Sequence, residues 1–165
     1  MGAGLRAGDV VYVTPFEHNS VLRPLEYLRK TLGIQIRVIP FDKHSFNCNL
    51  DEVKKLFRLD PPTMICMSHI SNVLGLAIPV DELTQVAKQL APDCITLVDG
   101  AQAAGLHPLE MSRINALIWS GHKSLYGPYG IAGIAFGTDW RPEPILYGGT
   151  GTVSESIDMP EVGVS

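Results

Sequence analysis

Six short apolar runs alternate with stretches of helical periodicity, and this alternation constrains the fold more than any other feature of the chain. The runs are Asp9 to Thr14 (DVVYVT), Ile34 to Pro40, Thr63 to Ser68, Cys94 to Val98, Ile114 to Trp119 and Gly130 to Phe136. Several are rich in β-branched residues and read as buried strands. Between the first two, Val21, Leu25, Leu28 and Leu32 fall on one face of a helix over 21–32, with Asn19 or Ser20 expected as its cap and Gly33 as its stop. Leu50 to Arg58 reads as a short helix halted by Pro61-Pro62, and a third helix is expected from about Val80 to Leu90. Strands separated by helices of this length join through right-handed crossovers. The expected fold is therefore α/β, a mostly parallel sheet with helices on both faces. No internal repeat or low-complexity segment interrupts it.

Composition narrows the class. The 165 residues suffice for one domain with a real core, spanning 1–165, and are short for two. Hydrophobic residues make up 45% and charged residues 18%, the balance of a chain that folds. A net charge of −4 argues against a general nucleic-acid or anionic-membrane binder. No apolar run approaches a membrane span, and no signal-peptide pattern opens the chain. Cys48, Cys66 and Cys94 are odd in number and lack CxxC spacing, so they read as reduced thiols of a cytoplasmic protein.

The candidate chemistry lies at two strand ends. After the run Ile114 to Trp119, the loop Ser120-Gly121-His122-Lys123 carries a lysine between histidine and serine. Taken alone, Lys123 is an ordinary solvated loop lysine or an amine poised to condense with a carbonyl. The second stretch, Val98-Asp99-Gly100-Ala101-Gln102, ends another apolar strand in a carboxylate, where an open α/β sheet presents its ligand-facing residues. Asp and Lys at neighbouring strand ends are the two protein groups required by a pyridoxal 5'-phosphate (PLP) enzyme. The carboxylate keeps the ring nitrogen protonated, and the amine holds the aldehyde. For Asp99 the competing reading is a turn or capping carboxylate.

Taken with Glu17-His18-Asn19-Ser20-Val21-Leu22-Arg23-Pro24, Ser68-His69-Ile70-Ser71-Asn72-Val73-Leu74-Gly75 and Gly148-Gly149-Thr150-Gly151, these stretches give the chain a specific likeness. It resembles the class V aminotransferase-like PLP enzymes of fold type I, most closely the cysteine desulfurase and selenocysteine lyase branch. The five motifs stand in family order and cover nearly all of the chain, which corresponds to the middle of the family's usual length. The resemblance implies the large PLP-binding domain of that fold, a three-layer sandwich.

It also implies residue roles. Lys123 would be the Schiff-base lysine and move the proton between substrate and cofactor carbons. Asp99 would pair with the ring nitrogen, Gln102 would bond the phenolic oxygen, and Asn72 would lie close to that oxygen. Ala101 would pack on one ring face and His18 on the other, where it can also trade protons. Ser120 and His122 would bind the phosphate. Thr150 would reach the phosphate held by a neighbouring subunit, which implies a homodimer; an ordinary turn threonine is the alternative there. His69 reads as a strand-end residue near the pocket, and His44 and His107 as surface or turn residues. No metal site is expected, because no histidine pair has ligand spacing. Cys66 and Cys94, inside apolar strands, read as inert core thiols.

The family's earlier segment, a turn opening a phosphate-binding helix, is expected to be absent, as is its C-terminal small domain with the substrate-carboxylate arginine and the persulfide cysteine. The implied reaction takes L-cysteine to L-alanine, passing sulfur as persulfide to a thiol, with a sulfur-acceptor protein as a possible partner. The alternatives are another class V transamination or lyase reaction, and a catalytically silent PLP-fold module that only binds or dimerises.

Overall fold

The computed structural model describes residues 2–144. Its elements run β1 (Val10–Val13), α1 (Asn19–Leu32), β2 (Gln35–Val38), α2 (Leu50–Leu59), β3 (Met64–Ser68), α3 (Val80–Leu90), β4 (Ile95–Asp99), a single 3-10 turn (Met111–Arg113), β5 (Ala116–Ser120) and β6 (Ala132–Phe136). All six strands form one sheet in the order β2-β1-β3-β4-β5-β6. The first five are parallel, and β6 returns antiparallel to β5. The expected α/β class and mostly parallel sheet are what the chain adopts.

The period-2 alternation of strands sorts the core into two layers. Val10, Tyr12, Ile65, Met67 and Val98 face one side, where they pack with Val53 and Phe57 of α2 and Val80, Leu83 and Ala87 of α3. Val11, Val13, Met64 and Cys66 face the other, against Leu25 of α1 and against Leu5 and Ile34. Helices thus cover both faces. Each large side chain withdrawn fully from water contributes about 1.5–3 kcal/mol before entropic costs. The central strand β3 is buried along its whole length, MICMS, as an apolar run without alternation requires.

α1 ends as its sequence predicts. Gly33 takes φ 80°, a left-handed conformation that costs glycine little, and its N–H bonds to the Leu28 carbonyl. Its start differs from expectation. The cap is neither Asn19 nor Ser20 but His18, whose ring nitrogen Nδ1 accepts the Ser20 N–H at 3.1 Å. Among the described residues no helix is long and apolar enough to cross a membrane.

Candidate active site

The C-terminal ends of β4 and β5 deliver the two key side chains. Asp99 is the last residue of β4, and its Oδ1 accepts the Ala101 N–H at 2.9 Å, an Asx turn that swings the chain off the sheet. Lys123 follows β5 in a turn closed by two backbone bonds, Gly127 N–H to Gly121 O at 2.7 Å and Gly121 N–H to Ile131 O at 2.8 Å. A Cβ on Gly127 would stand 2.9 Å from that Gly121 oxygen, so only glycine permits the closure. The two loops are fastened to each other. Gly100 N–H donates to Ile118 O at 2.8 Å, and Ser124 Oγ donates to Ala104 O at 2.8 Å. Ser124 was not singled out from sequence, since its acceptor is a backbone carbonyl 20 residues away.

Between these loops and α1 lies a groove of about 1140 Å³. Six of the expected site residues line it: His18, Asp99, Ala101, Ser120, His122 and Lys123. The register explains the grouping. Asp99 pairs with Ile118, and Ser120 with Ala132, so these side chains share the α1 face of the sheet. Gln102 and Asn72 are not among the lining residues. Gln102 is half-buried in the turn beyond Asp99, and Asn72 is exposed in the loop after β3. Thr150, with its Gly-Gly turn, lies outside the described residues.

Several groups are tuned by their surroundings. His18, as the cap of α1, has Nδ1 committed as an acceptor, and the tautomer assigned from that bond carries its proton on Nε2. His122 stacks on Tyr129, centroids 4.5 Å apart and planes 21° from parallel, and its Nδ1 is buried with no hydrogen-bond partner among the described residues. Such an orphaned ring nitrogen is the kind of group a ligand satisfies. His69 is buried where β3 ends, its N–H donating to the Asp99 carbonyl at 2.9 Å. Its ring meets that of His107 edge-on at 4.9 Å. Burial chiefly, and His107 secondarily, hold its imidazole below the ordinary value, while Asp81 opposes them. His107 is exposed, as expected, but packs on His69 rather than standing alone.

Sequence reasoning assigned no role to Glu17. Its half-buried carboxylate accepts from Thr14 Oγ1 at 2.5 Å, from Ser68 N–H at 3.0 Å and from Ser68 Oγ at 2.9 Å. Burial pushes its pKa above the ordinary carboxylate value, these bonds pull it down, and the charge of Asp99 adds to the rise. The surroundings of the three thiols disfavour the thiolate. Burial pushes Cys66 and Cys94 up to about 12, and Cys48 up to about 11. Among the described residues no group of three or more His, Cys, Asp or Glu gathers to hold a metal.

The description Aminotransferase class-V belongs to the family model that matches residues 1–162. The chain belongs to that family. It is one of PLP-dependent enzymes. The cysteine desulfurase of Escherichia coli O8 (strain IAI1) is 34% identical over 131 residues, covering 78% of this chain and 31% of that protein. The chain therefore spans about a third of the length of the curated relatives it matches. The apo cysteine desulfurase from Thermococcus onnurineus NA1 superposes with TM-score 0.74 at 30% identity, covering 90% of this chain and 37% of the other. A variant of C-DES, bearing glycine covalently linked to its PLP cofactor, shares the fold with TM-score 0.70 at 24% identity, covering 81% and 36%. The sheet and its helices are those of fold type I.

The residues present fit PLP. The groove gathers an amine, a carboxylate, a buried apolar Ala101, an imidazole and the Ser120 hydroxyl, which are the group types that a pyridinium ring with aldehyde and phosphate needs.

Proposed function

We propose that this chain is the cofactor-binding part of a PLP-dependent cysteine desulfurase, converting L-cysteine to L-alanine with sulfur passed to a thiol. What carries the reading is the convergence of Lys123 and Asp99 on one groove, together with the orphaned Nδ1 of His122. Bound PLP supplies an electron sink. Lys123 Nζ would hold the cofactor's aldehyde and, as a free amine, would carry the substrate's α-proton. Asp99 would keep the ring nitrogen protonated, while Gln102 and Asn72, given to the phenolic oxygen by resemblance, do not line the groove. Ala101 and the His18 ring would hold the two faces of the cofactor ring, Ser120 and His122 would donate to its phosphate, and Thr150 would serve the site of a second copy in a cytoplasmic homodimer.

The sulfur acceptor is not Cys48, Cys66 or Cys94. A thiol pushed up to about 11 or 12 has almost no thiolate at neutral pH, and the thiolate is the nucleophile. The acceptor is a thiol other than these three. The test is to supply PLP, L-cysteine and dithiothreitol to the protein and measure alanine and sulfide. Equal release of both is expected. Pyruvate in place of alanine would move the chain to a different class V reaction, and no turnover with retained PLP would favour a silent binding module.

A further inference from the structure

A half-buried carboxylate ties the loop between β1 and α1 to the end of β3, beside the groove. Glu17 sits in the loop between β1 and α1, directly before His18. Its two oxygens hold Ser68, the last residue of β3, by both the main-chain N–H and the hydroxyl, while Thr14 closes the loop from its other end. Thr14 and Ser68 are themselves buried, 2% and 4% exposed, so these bonds are shielded from competing water. Ser68 is the register partner of Asp99. A continuous line therefore runs Asp99, Ser68, Glu17, His18 across three strand ends. His18 is exposed, and on the other side its ring is held by the Ser20 N–H at 3.1 Å and the Ser20 hydroxyl at 2.9 Å.

The His18 carbonyl is held by α1, accepting the Val21 N–H at 2.9 Å and the Leu22 N–H at 3.2 Å, so the loop is anchored to the helix at one end and through Glu17 to β3 at the other. Burial and the neighbouring Asp99 charge disfavour its ionised form, and the bonds from Thr14 and Ser68 favour it. We propose that Glu17 is a positioning residue that holds the β1–α1 loop to the end of β3 and so presents the His18 ring to the groove opposite Asp99. This rests on the cofactor reading above only for its consequence, which is tighter binding of PLP.

The variants Glu17→Gln and Glu17→Ala separate position from charge. Glutamine keeps an acceptor for Thr14 and the Ser68 N–H, and its amide can meet the Ser68 hydroxyl with that hydroxyl turned round. Alanine removes all three bonds. The first readout is made on the protein without cofactor: the ring-nitrogen NMR shifts of His18, which report the Nε2-protonated tautomer. The unchanged chain and Glu17→Gln are expected to show that single tautomer, and Glu17→Ala a mixture. The second is PLP affinity, expected to fall about tenfold in Glu17→Ala and less than about twofold in Glu17→Gln.

Unaltered His18 signals in Glu17→Ala would overturn the proposal, and so would equal losses in both variants. Should Glu17→Ala fail to fold, Thr14→Val removes one of the three donors at similar volume, and the same mixture of tautomers is expected there to a smaller degree; its absence counts against the proposal. If the unchanged chain takes up no PLP, the cofactor reading fails, while the His18 signals still decide the role of Glu17.

Discussion

On the face of the sheet beneath α2 and α3, Val53, Phe57, Ile65 and Leu83 have no exposed surface, and Asn115 ties β4 to β5 by accepting the Thr96 N–H at 2.9 Å. On the face beneath α1, the helix packs over β1, β2 and β3, while Ile118 of β5 and Ile134 of β6 remain 42% and 46% exposed. The same strands supply both faces, so propensity does not distinguish them. Stability is concentrated where the packing is closed, and the candidate chemistry stands where it is open. An active site needs a cavity, and one face of this sheet leaves it unfilled.

The sharpest way to test that division is to truncate one large side chain on each face. Phe57→Ala should destabilise the fold by about 3–5 kcal/mol in urea unfolding, the cost of a lost aromatic and the cavity it leaves. A value near 1 kcal/mol would mean the α2 and α3 face is looser than the packing implies. On the open face, Asp99→Asn should leave the unfolding midpoint almost unchanged and weaken PLP binding by about 1.5–3 kcal/mol, the worth of a charged hydrogen bond, as read by fluorescence titration. Destabilisation without loss of PLP affinity would make Asp99 a turn residue. Ile118→Ala, on the same face, should cost less than about 1 kcal/mol in unfolding, because the side chain is already part-solvated.

The smallest effect expected is a pH dependence. The folded-state pKa of Glu17 lies above its ordinary value, so the ionised form opposes folding above that pKa and the penalty is relieved as pH falls through it. Glu17→Gln, which cannot ionise, should therefore unfold at a slightly higher temperature than the unchanged chain at pH 8, with the gap closing toward pH 4. A gap that widens on acidification would reverse the sign and contradict the assigned environment.

Much of this architecture was legible because apolar runs and helical periodicity report burial directly. β1 to β5, the three helices and the Gly33 stop fall where the pattern predicts. The direction of β6 was not legible, since Gly130 to Phe136 reads alike as a parallel or an antiparallel strand. The α1 cap was hidden for a different reason. Histidine is not among the favoured capping types, and only the fold shows that the Nδ1 of His18 does the work expected of Ser20 or Asn19. Asp99 and Lys123 could be paired from sequence because both end apolar runs. Glu17 could not be assigned, because its partner Ser68 lies 51 residues away and sequence spacing carries no trace of that contact. For Gln102 and Asn72 the resemblance supplied roles, yet in this chain neither lines the groove.

The central claim is that Lys123 is the group that takes up PLP, and it is tested most directly by trapping. The protein is mixed with PLP, its visible spectrum recorded, the adduct reduced with borohydride and the modified peptide mapped by mass. A visible band with label on Lys123, both lost in Lys123→Ala, is the predicted result. Label spread over exposed lysines such as Lys30 and Lys43, or a band that survives in Lys123→Ala, would contradict it.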